Sequence, residues 1–279
     1  MDESHALVVA EEAARQAGEV LRSYFRHLAG VEHKGPREVV TEADRRAEAR
    51  IIALIRQAFP ADLILAEESY RGLTDEKIIE ERRVWFIDPL DGTTNFVYGL
   101  PVYAVSIALF DRGRPVLGVV YDPSADELFS AARGEGARGN GRPIRVSSCF
   151  RFAEALLATG FPYERNGGDN LDHVTNIVPR IRDLRRMGSA ALDLCYVASG
   201  RLDGFWEYGL RPWDFAAGLL IVEEAGGKVT DFRGRPMRPF SRGIAATNGY
   251  IHEELLAALA RGRTGLEDPP LKEGMLRNE

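Results

Sequence analysis

An α+β N-terminal half joined to an α/β C-terminal half is the fold class this sequence predicts. Two helical stripes come first, then an antiparallel meander, and after about residue 150 strands and helices alternate. At 279 residues the chain is long enough to bury a sizeable core. The boundary is placed at 148/149, giving halves 1–148 and 149–262, with a charged, proline-bearing tail at 263–279 that carries no apolar stripe.

The elements follow from local pattern. Ser4 can cap a first helix in which Leu7, Ala10, Ala14, Ala17, Leu21, Tyr24 and Leu28 recur at helical spacing until Gly30. Residues 30–38 form a loop punctuated by Gly35-Pro36. Thr41 opens a second helix with Ala43, Ala47, Ile51, Leu54, Ile55 and Ala58 on one stripe, ended by Pro60. Leu63–Ala66 is a short strand running into Glu67-Glu68, and 70–83 is a polar excursion. Val84–Ile87 is a buried strand; 102–110, 115–121, 127–132 and 143–146 are strands of the meander, joined by Asp-, Gly- and Asn-rich turns. The second half reads as strand 155–159, helix 171–181, helix 189–199, strand 204–208, helix 214–225, strands 228–231 and 244–247, and helix 252–260.

Composition narrows the function classes. The formal net charge of −6 argues against a broad nucleic-acid surface, so no nucleic acid polymer is expected as substrate. Two cysteines without paired spacing argue against a disulfide framework and make the cytoplasm the default expectation. The acidic start predicts no signal or transit peptide. No apolar run is long enough for a membrane span. The five histidines form no zinc spacing. Gly134–Gly139 lacks the lysine of a phosphate-binding P-loop and reads as a turn, and Cys195 reads as a small packing group.

Chemistry concentrates at Asp88-Pro89-Leu90-Asp91-Gly92-Thr93-Thr94-Asn95-Phe96. A buried strand rarely ends in two acids unless a cation lies between them, because an unpaired buried carboxylate is costly. Pro89 stiffens the turn between them. The pair therefore predicts a hard-metal site, with Gly92 and the threonines offering donors to an anion beside it. Asp44, Glu67-Glu68 and Asp214 also stand at the ends of elements. Asp44 and Asp214 can equally serve helix N-termini, and Glu67 can equally be a solvated strand end.

Taken together the motifs resemble the inositol monophosphatase family. Asp88–Phe96 is similar to its first signature, and Trp213-Asp214-Phe215-Ala216-Ala217-Gly218 with Glu224-Ala225-Gly226-Gly227 to its second. Val40-Thr41-Glu42-Ala43-Asp44 and Ala66-Glu67-Glu68-Ser69 match two further positions in order, and the likeness spans residues 4–262. The resemblance implies a layered αβαβα sandwich of the sugar-phosphatase type, and a homodimer that hydrolyses a small-molecule phosphate monoester, inositol-1-phosphate, with two to three Mg²⁺ ions and sensitivity to lithium. It assigns one ion to Glu67, Asp88 and the Leu90 carbonyl, a second to Asp88, Asp91 and Asp214, and a weaker third to Glu67 and waters. Thr93, backed by Asp44, would position the attacking water; the amides of Gly92 and Thr93 would take the phosphate. Gly188, Ser189 and Ala190 would lie along the substrate, and Glu207 would accept from polyol hydroxyls, against the alternative of a solvated strand end. Lys34 and Glu68 are possible loop contacts; Lys34 can equally be merely solvated, and Glu38 stands where relatives more often have aspartate.

Rival readings remain on the page. A haloacid-dehalogenase-type mechanism needs a nucleophilic aspartate two residues before Asp91, where Pro89 stands. Fructose-1,6-bisphosphatase, 3′-phosphoadenosine phosphatase and histidinol-phosphate phosphatase share the metal core. From another class, the chain can be a regulatory binding protein that retains the fold.

Overall fold

Helix α1 (Glu3–Tyr24) buries Ala6, Ala10, Ala13, Ala14, Ala17 and Leu21 along one stripe in the computed structural model, which describes residues 3–28, 30–33, 39–70, 82–162 and 170–261. Small side chains let it approach the sheet beneath closely; a Cβ on Gly18 would come 2.4 Å from the Tyr121 ring. Ser4 lies inside the first turn, and the helix stops at Tyr24 rather than at the expected Gly30. Arg26 turns the chain there with φ 64°, while Phe25 packs on Phe96 and Tyr103 at ring separations of 5.5 and 5.1 Å. A tertiary aromatic contact thus sets an end that the local pattern misplaces.

A small antiparallel pair, β1 (Glu32–His33) and β2 (Val39–Val40), precedes α2 (Glu42–Ala58), and Thr41 caps that helix as its pattern predicts. The first sheet then runs in order β3 (Leu63–Ala66), β4 (Arg83–Asp91), β5 (Ala104–Asp111), β6 (Arg114–Asp122), β7 (Glu127–Ala132), β8 (Ala137–Gly139) and β9 (Arg142–Pro143). In this sheet β3 and β4 pair in parallel; the rest is the expected antiparallel meander, except that β8 forms at Ala137–Gly139, inside the stretch Gly134–Gly139 that reads as a turn. The strand expected over 143–146 stops at Pro143. Ile144 still donates to Ala137 of β8 at 3.0 Å, but Val146 donates to Ala225 at 3.2 Å, so the chain leaves the ladder there to meet a helix end.

The second sheet has the order β11 (Asp183–Arg185), β10 (Leu156–Thr159), β12 (Gly204–Tyr208), β14 (Gly243–Thr247), β13 (Lys228–Thr230). Helices α3 (Thr93–Val97), α4 (Leu171–Ile177), α5 (Ala190–Ala198), α6 (Pro212–Glu224) and α7 (His252–Arg261) complete the set described. The helix expected over 171–181 gives way to a 3₁₀ turn at Val178–Arg180, because Pro179 has no N–H for the α ladder. Strand β11 was not foreseen; three residues at a sheet edge carry no readable alternation. The excursion at 71–81 and the tail at 262–279 lie outside the described residues.

Side-chain alternation shows the layers. In β4, Trp85 and Ile87 pack with α1 and α2, whereas Val84 and Phe86 point into a core shared with α5 and α6. In β12, Phe205 joins that central core and Trp206 packs outward with Leu255 and Leu259 of α7. The stack is helices, sheet, helices, sheet, helices: the layered αβαβα sandwich. Because α5 and α6 are covered on both faces they are apolar nearly all round, as a buried helix must be. The core packed around the middle layer draws residues from both sides of 148, so the two halves share one core.

Candidate active site

Strand β4 carries its acids over an irregularity: the pairing register with β5 shifts between Asp88 and Asp91, where Pro89 has no N–H for the ladder. Asp88 is 2% exposed, and its Oδ1 accepts from the Leu90 amide at 2.9 Å. Ala66 pairs with Ile87 in parallel, which sets Glu67 beside Asp88. Asp91 reaches across the halves: its Oδ2 accepts from Ser189 Oγ at 2.6 Å and from the Ala191 amide at 2.7 Å, at the start of α5. Asp214 stands in the first turn of α6, accepting from the Arg211 amide at 2.7 Å, with Pro212 at the first helical position. Glu67, Asp88, Asp91 and Asp214 line one pocket together with Leu90 and Thr93.

Asp44 stands behind that pocket. Its Oδ2 accepts from the Thr41 amide and hydroxyl at 2.8 and 2.6 Å, closing the cap of α2, and its Oδ1 lies 3.3 Å from Thr93 Oγ1. The Thr93 hydroxyl also points at the Leu90 carbonyl, 3.0 Å away. The two readings of Asp44 and of Asp214 are therefore compatible: each acid finishes a helix N-terminus and is thereby held in place at the site.

Backbone conformation brings the loops together. Gly92 adopts φ 95°, and a Cβ there would lie 2.9 Å from the Val102 carbonyl and 3.2 Å from that of Gly188. Asn95 donates to Val102 and Met187 carbonyls at 2.8 and 2.9 Å, tying the Met187–Ala190 segment to the first signature. Gly92→Ala is expected to lower stability by about 1–3 kcal/mol, the scale of a forced left-handed residue, and to cut activity by shifting Thr93. A urea melt and a phosphate-release assay on the purified variant check both.

Of the expected substrate contacts, Gly92, Gly188, Ser189, Ala190 and Glu207 all line the pocket. Glu207 is no solvated strand end: it is 8% exposed and rests on Gly160, where a Cβ would lie 2.1 Å from its Oε2. Glu68 is not brought to the pocket. Its amide donates to Glu48 Oε2 at 2.7 Å, and it faces a separate groove with Arg45 and Arg56, where the chain has left β3 and turns so that the Tyr70 amide donates to the Ala66 carbonyl at 2.9 Å. Lys34 and Glu38 lie outside the described residues. Arg186, Asp193, Gly160, Phe161 and Leu210 also line the pocket and were missed. Asp193 carried a readable signal, a lone acid in an otherwise apolar helix; Arg186 carried none.

Burial pushes these acids above the usual carboxylate range. Burial raises Asp88, helped by Glu67, Asp91 and Asp214; burial raises Asp214, helped by Glu67 and Asp91. Asp91 is raised to about 6 by burial, against the opposing bonds from Ser189 and Ala191. Among the described residues no salt bridge neutralises Asp88, Asp91 or Asp214. Hard oxygen donors with unmet charge are the donor set that suits a divalent cation. Among the described residues no three acidic, histidine or cysteine groups are already drawn into a closed cage.

A family model described as the inositol monophosphatase family matches residues 2–264. The chain belongs to the inositol monophosphatase family. It is 45% identical over 255 residues to the Nus factor SuhB of Escherichia coli (strain K12), covering 90% of this chain and 94% of that protein. It is 42% identical over 265 residues to the inositol-1-monophosphatase of Mesorhizobium japonicum, covering 94% and 98%. The inositol monophosphatase structure from Anabaena (Nostoc) sp. PCC 7120 superposes with a TM-score of 0.83 at 43% identity, over 92% of this chain and 96% of that one. Membership makes the chain a phosphatase of the inositol monophosphatase type, and the αβαβα layers are those of its structural neighbours. Among the described residues, no helix is long and apolar enough to cross a membrane.

Proposed function

We propose that this protein is a Mg²⁺-dependent phosphomonoesterase that hydrolyses inositol-1-phosphate to inositol and phosphate. The observation that carries the reading is the convergence of Glu67, Asp88, Asp91 and Asp214 on one pocket beside a threonine hydroxyl backed by a buried aspartate. Glu67, Asp88, the Leu90 carbonyl, Asp91 and Asp214 would hold the ions. Bound divalent cations supply charge neutralisation for the phosphate and acidify water at neutral pH.

The chain's own groups do the rest. With its proton directed at Asp44 Oδ1 or the Leu90 carbonyl, Thr93 Oγ1 keeps lone pairs for a water proton and fixes the direction of attack. Asp44 is held by Thr41, so that direction is set before substrate arrives. The Gly92 and Thr93 amides offer donors to phosphate oxygens, and Glu207 faces the hydroxyls of the alcohol. Water oxygen bonds to phosphorus as the ester P–O bond breaks, and the departing alkoxide takes up a proton. No covalent enzyme intermediate is needed, consistent with Pro89 where a nucleophilic aspartate would stand.

The test is a phosphate-release panel with and without Mg²⁺ on inositol-1-phosphate, fructose-1,6-bisphosphate, 3′-phosphoadenosine 5′-phosphate and histidinol phosphate. Highest kcat/KM on inositol-1-phosphate, dependent on Mg²⁺ and inhibited by lithium, is expected; preference for another substrate moves the protein to that branch. The same reading includes a cytoplasmic homodimer, which sedimentation of the purified protein checks. The relatives named Nus factor favour a second role beside catalysis. A variant that has lost turnover yet still replaces such a relative in its own cells would separate the two.

A further inference from the structure

Ser106 lies on β5 directly opposite Asp88 of β4, in the last regular pair before the register shifts toward Asp91. Opposed residues of an antiparallel pair send their side chains to the same face, about 5 Å apart at Cβ. That face packs on the central apolar core with α6, and Ala104, Ala108 and Phe110 of β5 belong to it. Ser106 stands between Ala104 and Ala108 and is fully buried. A buried hydroxyl is costly unless it is bonded, and alanine would fill the position without that cost. The Ser106 hydroxyl donates to the Trp213 carbonyl at 3.1 Å, across 107 residues of chain. Trp213 immediately precedes Asp214. One side chain thus joins the cross-strand neighbour of Asp88 to the chain neighbour of Asp214.

Three contacts place the start of α6, and each does something different. Gly118, paired with Ala108 on the next strand, leaves a notch for the helix: a Cβ there would come 2.5 Å from the Ala217 carbonyl oxygen and 2.9 Å from its Cα. Ala217 is one helical turn beyond Trp213. The notch sets how closely α6 approaches the sheet, but packed helices can still slide by small amounts along such a contact. The Tyr70 ring meets the Trp213 ring edge-on at 5.3 Å, and the Tyr70 amide donates to the Ala66 carbonyl at 2.9 Å, so the turn that carries Glu67 leans on the same tryptophan. The Ser106 bond is the directional contact of the three, and such bonds weaken steeply once their geometry is lost. It therefore fixes where along the sheet α6 begins. Mg²⁺ demands near-ideal octahedral geometry from its oxygens, and ligands serve a metal site when held within about 0.5 Å of their places.

We propose that Ser106 is a positioning residue for the divalent-cation site: its hydroxyl anchors the start of α6 and so sets Asp214 against Asp88. This rests on the Mg²⁺-dependent reading above and deepens it. The test titrates Mg²⁺ alone, by calorimetry, into wild type, Ser106→Ala, Ser106→Cys and Leu202→Ala. The last opens space in the same apolar core without altering a residue that lines the pocket. Mg²⁺ binding is expected to weaken about tenfold in Ser106→Ala, the lower end of what loss of a ligand's outer support costs, and to stay at the wild-type level in Leu202→Ala. Ser106→Cys keeps the size of the side chain with a weaker donor; it is expected to fall between, and it carries the test if Ser106→Ala does not fold. In phosphate release the Mg²⁺ concentration giving half the maximal rate is expected to rise by the same factor, while KM for inositol-1-phosphate at saturating Mg²⁺ stays constant. Undiminished Mg²⁺ binding in the Ser106 variants overturns the proposal and leaves the serine a packing group. Equal weakening in Leu202→Ala overturns it too, since any softening of the core would then do the same. Wild type that binds Mg²⁺ but releases no phosphate overturns the phosphatase reading alone, and the calorimetry still decides Ser106. Wild type that binds no Mg²⁺ overturns both.

Discussion

Asp88→Asn is expected to lower Mg²⁺-dependent phosphate release by about 10³-fold or more, the scale of losing one preorganised charge contact to a transition state. Asparagine keeps the shape, and its Oδ1 still accepts from the Leu90 amide, so the turn at Pro89 survives. What it removes is a buried charge that both assigned ion positions share. Stability should move the other way. In the metal-free protein Asp88 is crowded by burial and by Glu67, Asp91 and Asp214, so deleting its charge raises the melting temperature at pH 8. Mg²⁺ is expected to stabilise wild type by binding the folded state only, on the order of 2.7 kcal/mol at a hundred times Kd, and that increment should vanish in the variant. Paired thermal melts with and without Mg²⁺, beside the phosphate assay, read both effects. Retained turnover, or an undiminished Mg²⁺ shift, would refute the assignment of Asp88 as an ion ligand.

Glu207→Gln is expected to flatten the pH dependence of stability. Burial, reinforced by Asp91 and opposed by Arg186, raises this acid to about 8 from an ordinary value near 4.5. Between those values the folded chain holds a proton that the unfolded chain has released, so folding loses stability as pH rises through the window. Below the lower value both states are protonated and the penalty is absent; above about 8 it is complete, on the order of a few kcal/mol. Glutamine cannot ionise. Metal-free Glu207→Gln should match wild type near pH 4.5 and exceed it at pH 9, which urea melts at the two pH values measure. Asp91, raised to about 6, adds a slope of the same sign at lower pH in both proteins, so the comparison isolates Glu207. Parallel curves for the two proteins would mean that Glu207 ionises freely in the fold. The same variant should lose inositol-1-phosphate selectively, since the amide presents donors where hydroxyls need an acceptor.

Much of the fold was legible because its signals are local. The stripe in α2, the Thr41 cap and the turn-punctuated meander each state their structure within a few residues. The misses share one cause, which is that distant partners decide them. Helix α1 ends where Phe25 meets Phe96 and Tyr103, and β9 ends where Val146 meets Ala225. The three residues of β11 become a strand only because β10 lies beside them.

The site divides along the same line. Sequence alone singled out the acids proposed as ion ligands, because Asp88-Pro89-Leu90-Asp91-Gly92-Thr93 packs two of them, a stiff turn and a left-handed glycine into one segment. It also determined that Asp44 and Asp214 stand in first helical turns. Only the tertiary structure decided that Asp91 is held by Ser189 and Ala191, that Glu68 faces away, that Glu207 is buried against Gly160, and that Arg186 and Asp193 share the pocket. The physical reason is the reach of the interactions. Backbone dihedrals and capping bonds act over three or four residues, whereas burial and the mutual field of charges depend on elements about a hundred residues apart in the chain being stacked a few ångströms from one another.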